Sequence, residues 1–192
     1  MSWFRSRLWW AGLVAAAVAV TGACSDDAAA PLAAEEVAAT WPSPDGPFAA
    51  GRTPVPGFGE VEVRVVEGPD GEPVVLCVLV AETPEQRARG LMEVTDLGGY
   101  DGMIFVYDTE VENGFWMRDT PMPLSIAHVD AAGEVVGTLD MEPCLDAGPD
   151  CPRYPPAAPF RFALEVPQGD LDAVGVVVGA RLEVTGACAP AT

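Results

Sequence analysis

The chain has 192 residues, enough for one ordinary domain with extensions. It carries 10 basic residues, all arginine, against 29 acids, for a formal net charge of −19. A field of that sign repels phosphate backbones and anionic lipid faces, which argues against nucleic acid as a partner and against flat adsorption to an acidic membrane.

Residues 1–23 read as an export signal. Arg5 and Arg7 precede an apolar run, Leu8 to Val20, that is shorter than the roughly 20 residues a bilayer span requires. Thr21-Gly22-Ala23-Cys24 places small residues directly before a cysteine, as in the lipobox of bacterial lipoproteins. Cys24 would then be the lipidated first residue, and several acyl chains on it would hold where a single chain is marginal. The expected location is outside the cytoplasm, anchored to the outer face of the cell membrane. Residues 24–59 are rich in Ala, Pro and acids, and their prolines break any long helix, so they read as a flexible tether.

A β domain is expected over 60–188, followed by a tail at 189–192. Glu60 to Val65 alternates strictly, which predicts a half-buried strand. Gly68-Pro69-Asp70-Gly71 turns the chain into Val74 to Val80, a continuous apolar and therefore central strand. Thr83-Pro84-Glu85-Gln86 carries the cap, the N1 proline and the capping-box glutamine of a helix start, and the helix is expected to run to about Met92. Met103 to Tyr107 is a strand, and Asn113-Gly114 is a turn signal. Pro121 and Pro123 then forbid a helix or a central ladder, leaving an exposed loop or edge. Leu124 to Val129 pairs with Val135 to Met141. A long loop covers Pro143 to Pro159, Phe160 to Val166 alternates as another half-buried strand, 168–174 can make a helical turn, and Arg181 to Ala187 closes the set. The fold class is mostly β: a compact single-domain sandwich or barrel of about seven to eight strands, with one short helix near 83–92.

Four cysteines remain beyond Cys24, an even number suited to an oxidising compartment. Three pairings are possible. The short Pro/Gly/Asp loop favours Cys144–Cys151, which leaves Cys77–Cys188.

The densest run of unusual residues is Gly114 to Asp130, which holds Trp116, Met117, Met122, Arg118, Asp119 and the single histidine, His128. A serine triad is not supported, because Ser125 and His128 would face opposite sides of a strand and no nucleophile elbow is present. The even cysteine count leaves no free thiol, and one histidine makes a poor zinc site. A carboxylate pair, Asp119 and Asp130, could support glycan chemistry. Met92, Met103, Met117 and Met122 with His128 could form a soft copper(I) set, although methionines spread over several elements also fill cores. Tyr100, Trp116, Arg118, Asp119 and Thr120 could wall and rim a shallow cleft between the Gly98–Gly102 loop and the Trp116–Pro123 loop.

Gly90-Leu91-Met92, Gly102-Met103-Ile104-Phe105, Phe115-Trp116-Met117 with Thr120-Pro121, and Leu164-Glu165-Val166 together resemble the prokaryotic domain-of-unknown-function family numbered 192, over about residues 60–186. The resemblance implies a compact β-sandwich-like domain, often exported, with no established activity. Asp119 stands where the family usually has Asn, Ser125 where it usually has Asp, and His128 where an aromatic is common. The expectation is a lipid-tethered, non-enzymatic module that binds a small ligand, an envelope polymer or a protein, with no cofactor. Glycan catalysis through Asp119 and Asp130, and copper binding, are the alternatives.

Overall fold

The computed structural model describes residues 51–145 and 150–190. The expected export signal, Cys24 and the tether up to residue 50 lie outside the described residues, as does part of the Cys144–Cys151 loop.

In chain order the strands are β1 (Gly59–Val65), β2 (Val74–Ala81), β3 (Gly102–Val111), β4 (Phe115–Trp116), β5 (Leu124–Val129), β6 (Val135–Met141), β7 (Arg153–Tyr154), β8 (Phe160–Pro167) and β9 (Leu182–Gly186). Two short helices join them, α1 (Pro84–Arg89) and α2 (Asp170–Ala173). Seven strands form one sheet in the order β6-β5-β8-β3-β2-β1-β9, and β4 with β7 form a second, two-stranded one. The large sheet curls until its edges meet: Glu134 bridges Arg181, and the Val135 amide donates to the Ala180 carbonyl at 2.9 Å. The mostly β class and single domain expected from the sequence are what the chain adopts.

The ladder is antiparallel except between β2 and β3, which run parallel. A parallel neighbour cannot be reached by a hairpin, so the chain must cross over one face of the sheet. Residues 82–101 make that crossover. The helix start is as expected: the Gln86 amide donates to Thr83 Oγ1, and the Gln86 side chain accepts from the Thr83 amide. Its end is earlier than the expected Met92. Gly90 stops the helix at Arg89, with φ 49°, and lies so close to Phe105 that an added Cβ would meet the ring at 3.3 Å. Leu91, Val94 and Leu97 then bury themselves on the sheet.

Two apolar clusters result. Val61, Val78, Ile104, Leu164, Val135 and Leu182 fill the inside of the curl. Leu79, Met103, Phe105, Ile126 and Met141 point the other way and are covered by the crossover, by Met117, and by Val55 and Phe58. Phe58 is fully buried, so the packed chain includes part of the stretch read as tether. Because both faces are covered, the half-buried reading of β1 and β8 needs correction: Glu60 and Glu165, expected on an outer face, are buried.

Both expected disulfides, Cys77–Cys188 and Cys144–Cys151, are formed. The first closes a loop of 111 residues' separation and the second one of 7. Loop-closure entropy then predicts that the Cys77→Ala/Cys188→Ala variant loses roughly 4–5 kcal/mol, and Cys144→Ala/Cys151→Ala roughly 2–3 kcal/mol. Denaturant unfolding of the two variants measures this order, and a larger loss for the short loop contradicts it.

Candidate functional site

The ladder β4–β7 places Trp116 directly opposite Arg153. The Arg153 guanidinium carbon sits 3.9 Å from the centre of the indole, and that of Arg118 at 4.4 Å. The Cys144–Cys151 loop holds this arrangement. The Cys144 amide donates to the Met117 carbonyl at 3.1 Å, and the Asp119 amide donates to the Cys144 carbonyl at 3.0 Å. Asp119 has φ 53°, a left-handed conformation in which Asn and Asp are enriched.

Beside Trp116 opens a cleft of about 570 Å³, walled by Arg87, Tyr107, Phe115, Trp116 and Arg153. Arg87 is committed to the fold: its Nη1 donates to the Val106 carbonyl at 2.8 Å and also to the Glu82 carbonyl, and it lies 4.7 Å over the Tyr107 ring. The Arg153 side chain is exposed and makes no hydrogen bond or ion pair among the described residues.

A smaller cavity of about 30 Å³ shares Arg87, Ala88, Phe115 and Trp116 with the cleft. Arg89, Gly90, Leu91, Met92, Phe105, Met117, Thr120 and Glu165 complete its lining. Segments far apart in the chain, which carry the family resemblance, thus meet around one small space. Gly102 contributes indirectly, since a Cβ there would lie 2.0 Å from the Glu165 carbonyl oxygen, so only glycine lets β3 lie this close to β8.

Glu165 is flanked in register by Met103 and Ile126, both fully buried. It is 4 % exposed, and no group among the described residues hydrogen bonds to its carboxyl. Burial pushes its pKa up to about 8. On the same face His128 is fully buried, with neither ring nitrogen hydrogen bonded. It packs as an aromatic ring, 4.7 Å from Phe160 and 5.8 Å from Phe115, and burial lowers its pKa to about 4.

The other candidates from the sequence are dispersed. Thr120 is buried at the small cavity, its hydroxyl 3.3 Å from the Arg118 carbonyl. The Arg118 Nε is 3.4 Å from Asp119 Oδ2, a half-exposed pair worth under about 1 kcal/mol. Tyr100 lines neither cavity; its hydroxyl donates to Glu60 at 2.6 Å beneath the crossover, and burial first, then that bond, raises its pKa. Asp130 caps the β5–β6 turn by accepting the Ala132 and Glu134 amides, each at 2.9 Å, and shares no cavity with Asp119. Met103 and Met117 belong to the core, Met122 packs against it, and Met92 lines the small cavity. Ser125 is buried, donating to Asp140 and accepting the Gly169 amide at 2.9 Å.

The sequence reading missed Glu165, Arg87 and Arg153 as site residues. Glu165 had a signal, an acid enclosed in the apolar motif Leu164-Glu165-Val166. Arg153 had none, because its place depends on the register of a two-residue strand inside a loop.

Fold and site together define a small curled β domain with an aromatic and arginine cleft above a buried acid. The chain belongs to the family DUF192, described as "Uncharacterized ACR", which it matches over residues 65–184. No curated protein matches it. A protein of unknown function from Novosphingobium aromaticivorans DSM 12444 is 31 % identical, with 73 % of this chain and 95 % of that one aligned at a TM-score of 0.61. A protein of Sinorhizobium meliloti 1021, provisionally described as a transcription regulator, is 25 % identical over 66 % of this chain and 95 % of its own, at a TM-score of 0.58.

The two buried titrating groups act on stability in opposite pH windows. His128 binds its proton less readily folded than unfolded, so stability falls as pH drops from about 6.5 to about 4. Glu165 binds its proton more readily folded, so stability falls as pH rises from about 4.5 to about 8. Relative to the native chain, His128→Phe should remove an acid-side loss of roughly 3 kcal/mol, and Glu165→Gln a loss of similar or larger size accumulated between about pH 4.5 and about pH 8. Thermal melts of the three proteins across pH measure this, and parallel curves contradict it.

Proposed function

We propose that the chain is an extracytoplasmic binding or accessory module that takes a small ligand, or a small group of an envelope partner, in the cleft beside Trp116. The carrying observation is the meeting of Trp116, Arg153 and the buried Glu165 around two adjoining cavities. A concave site with a few convergent polar groups and a perturbed carboxyl is the usual form of a binding site. Two disulfides suit an oxidising compartment outside the cytoplasm. Among the described residues no helix is long and apolar enough to cross a membrane. In this proposal the link to the membrane is a lipid on Cys24, and residues beyond it act as the tether.

Catalysis is not part of the proposal. Asp119 is turned to Arg118, and Asp130 to backbone amides. Transcription regulation, the role provisionally given to the S. meliloti protein, is not adopted either, because a net charge of −19 opposes contact with phosphate backbones.

A thermal-shift screen of the full chain against sugars, cell-wall fragments, small carboxylates and metal ions tests this role. At least one class should raise the melting temperature progressively with concentration, the stabilisation reaching about 2.7 kcal/mol at a hundredfold excess over its dissociation constant. Trp116→Ala should abolish that response while melting cooperatively. A response that survives in Trp116→Ala, or none in the native chain, counts against the cleft.

A further inference from the structure

Two groups at the adjoining cavities make no side-chain hydrogen bond or ion pair among the described residues: the Arg153 guanidinium, stacked on Trp116 at the wall of the cleft, and the Glu165 carboxyl in the small cavity. Resting on the binding role above, we infer that the cleft selects a small molecule bearing an oxyanion, with Arg153 as its counter-charge and Glu165 as a buried hydrogen-bond donor.

The charge pattern sets the sign of the ligand. The chain as a whole is strongly acidic, yet the charged groups lining the open cleft are Arg87 and Arg153 against the single acid Asp108. The Arg153 guanidinium carbon lies 3.9 Å from the centre of the Trp116 ring, a contact that holds a fork suited to a carboxylate or phosphate edge at the cleft wall. An incoming ammonium would meet two guanidiniums with the single carboxylate of Asp108 to offset them.

The floor sets the size of the group that enters. A space of about 30 Å³ holds one water-sized group. It can admit one oxygen of the ligand and not a ring, so the body of the molecule stays in the larger cleft. A carboxyl held neutral by its apolar setting donates a hydrogen bond, which a carboxylate cannot do. The charged and titratable groups around Glu165 are Arg87 and Arg89 on α1, Tyr107 on β3 and His128 on β5. Arg87 and Arg89 are turned to the backbone carbonyls of Val106 and Pro56, and His128 is neutral near pH 7. Tyr107 interacts with Glu165 electrostatically and makes no hydrogen bond to it, so none of these groups supplies the hydrogen-bond partner that Glu165 lacks among the described residues.

The test is calorimetric titration of the full chain with succinate, inorganic phosphate, ethanolamine and glucose at constant ionic strength. Succinate or phosphate should bind at a single site near pH 6.5 and ethanolamine should not, with the stronger of the two anions naming the oxyanion. Arg153→Ala should weaken the anion by at least roughly tenfold. Glu165→Gln, whose amide still donates, should keep binding at about pH 6.5 and lose the fall in affinity that the native chain shows as Glu165 ionises toward about pH 9. Anion binding unchanged by both substitutions overturns the inference. Binding of ethanolamine or glucose alone, removed by Trp116→Ala, overturns the oxyanion while leaving the binding role intact. Silence of all four probes overturns both.

Discussion

The burial of both faces of one curled sheet governs the rest of this structure. Inside the curl, valines and leucines from strands at opposite edges meet in a single cluster. Outside it, a second cluster must be covered by whatever the connections provide. The parallel pairing of β2 and β3 supplies the main cover, because it forces residues 82–101 across that face. The short ladder β4–β7 and the Cys144–Cys151 loop supply more. The cleft lies where these covers meet without closing, and Glu165 is buried because it sits on a central strand beneath that seam.

Much of the architecture was legible in the sequence, and the reasons are local. Alternation in Glu60–Val65, the apolar run of β2, the capping box at Thr83 and the paired cysteines each act within a few residues or through an exact count. What was not legible depended on the second cover. A pattern of alternating residues on β8 says that two faces differ, and it does not say whether the polar-looking face meets water. Glu165 was therefore read with the outer residues, although its carboxyl is enclosed. The wall of the site was partly legible: Trp116, Arg118, Asp119 and Thr120 cluster in sequence and in space, whereas Tyr100 lies apart, bound to Glu60. Arg153 reaches Trp116 through a register that no local pattern encodes.

The departures from the family pattern now have physical content. Asp119 keeps a left-handed turn that Asn also tolerates. His128 takes the place of an aromatic side chain by acting as one, neutral and packed on Phe115 and Phe160. Ser125 donates to Asp140 on β6 and accepts from the Gly169 amide, so it serves the fold on this side of the sheet. An unpartnered carboxyl such as that of Glu165 costs the fold about 1–3 kcal/mol, and sites built for binding commonly carry such a cost.

That cost gives the most direct measurement. Glu165→Met is close in volume and removes the unpartnered acid. If Glu165 is held for a ligand rather than for the fold, the variant should melt a few degrees higher than the native chain at neutral pH and show no response to an anion that stabilises the native chain. A variant that melts several degrees lower, with the anion response intact, would make Glu165 a structural residue and contradict the account.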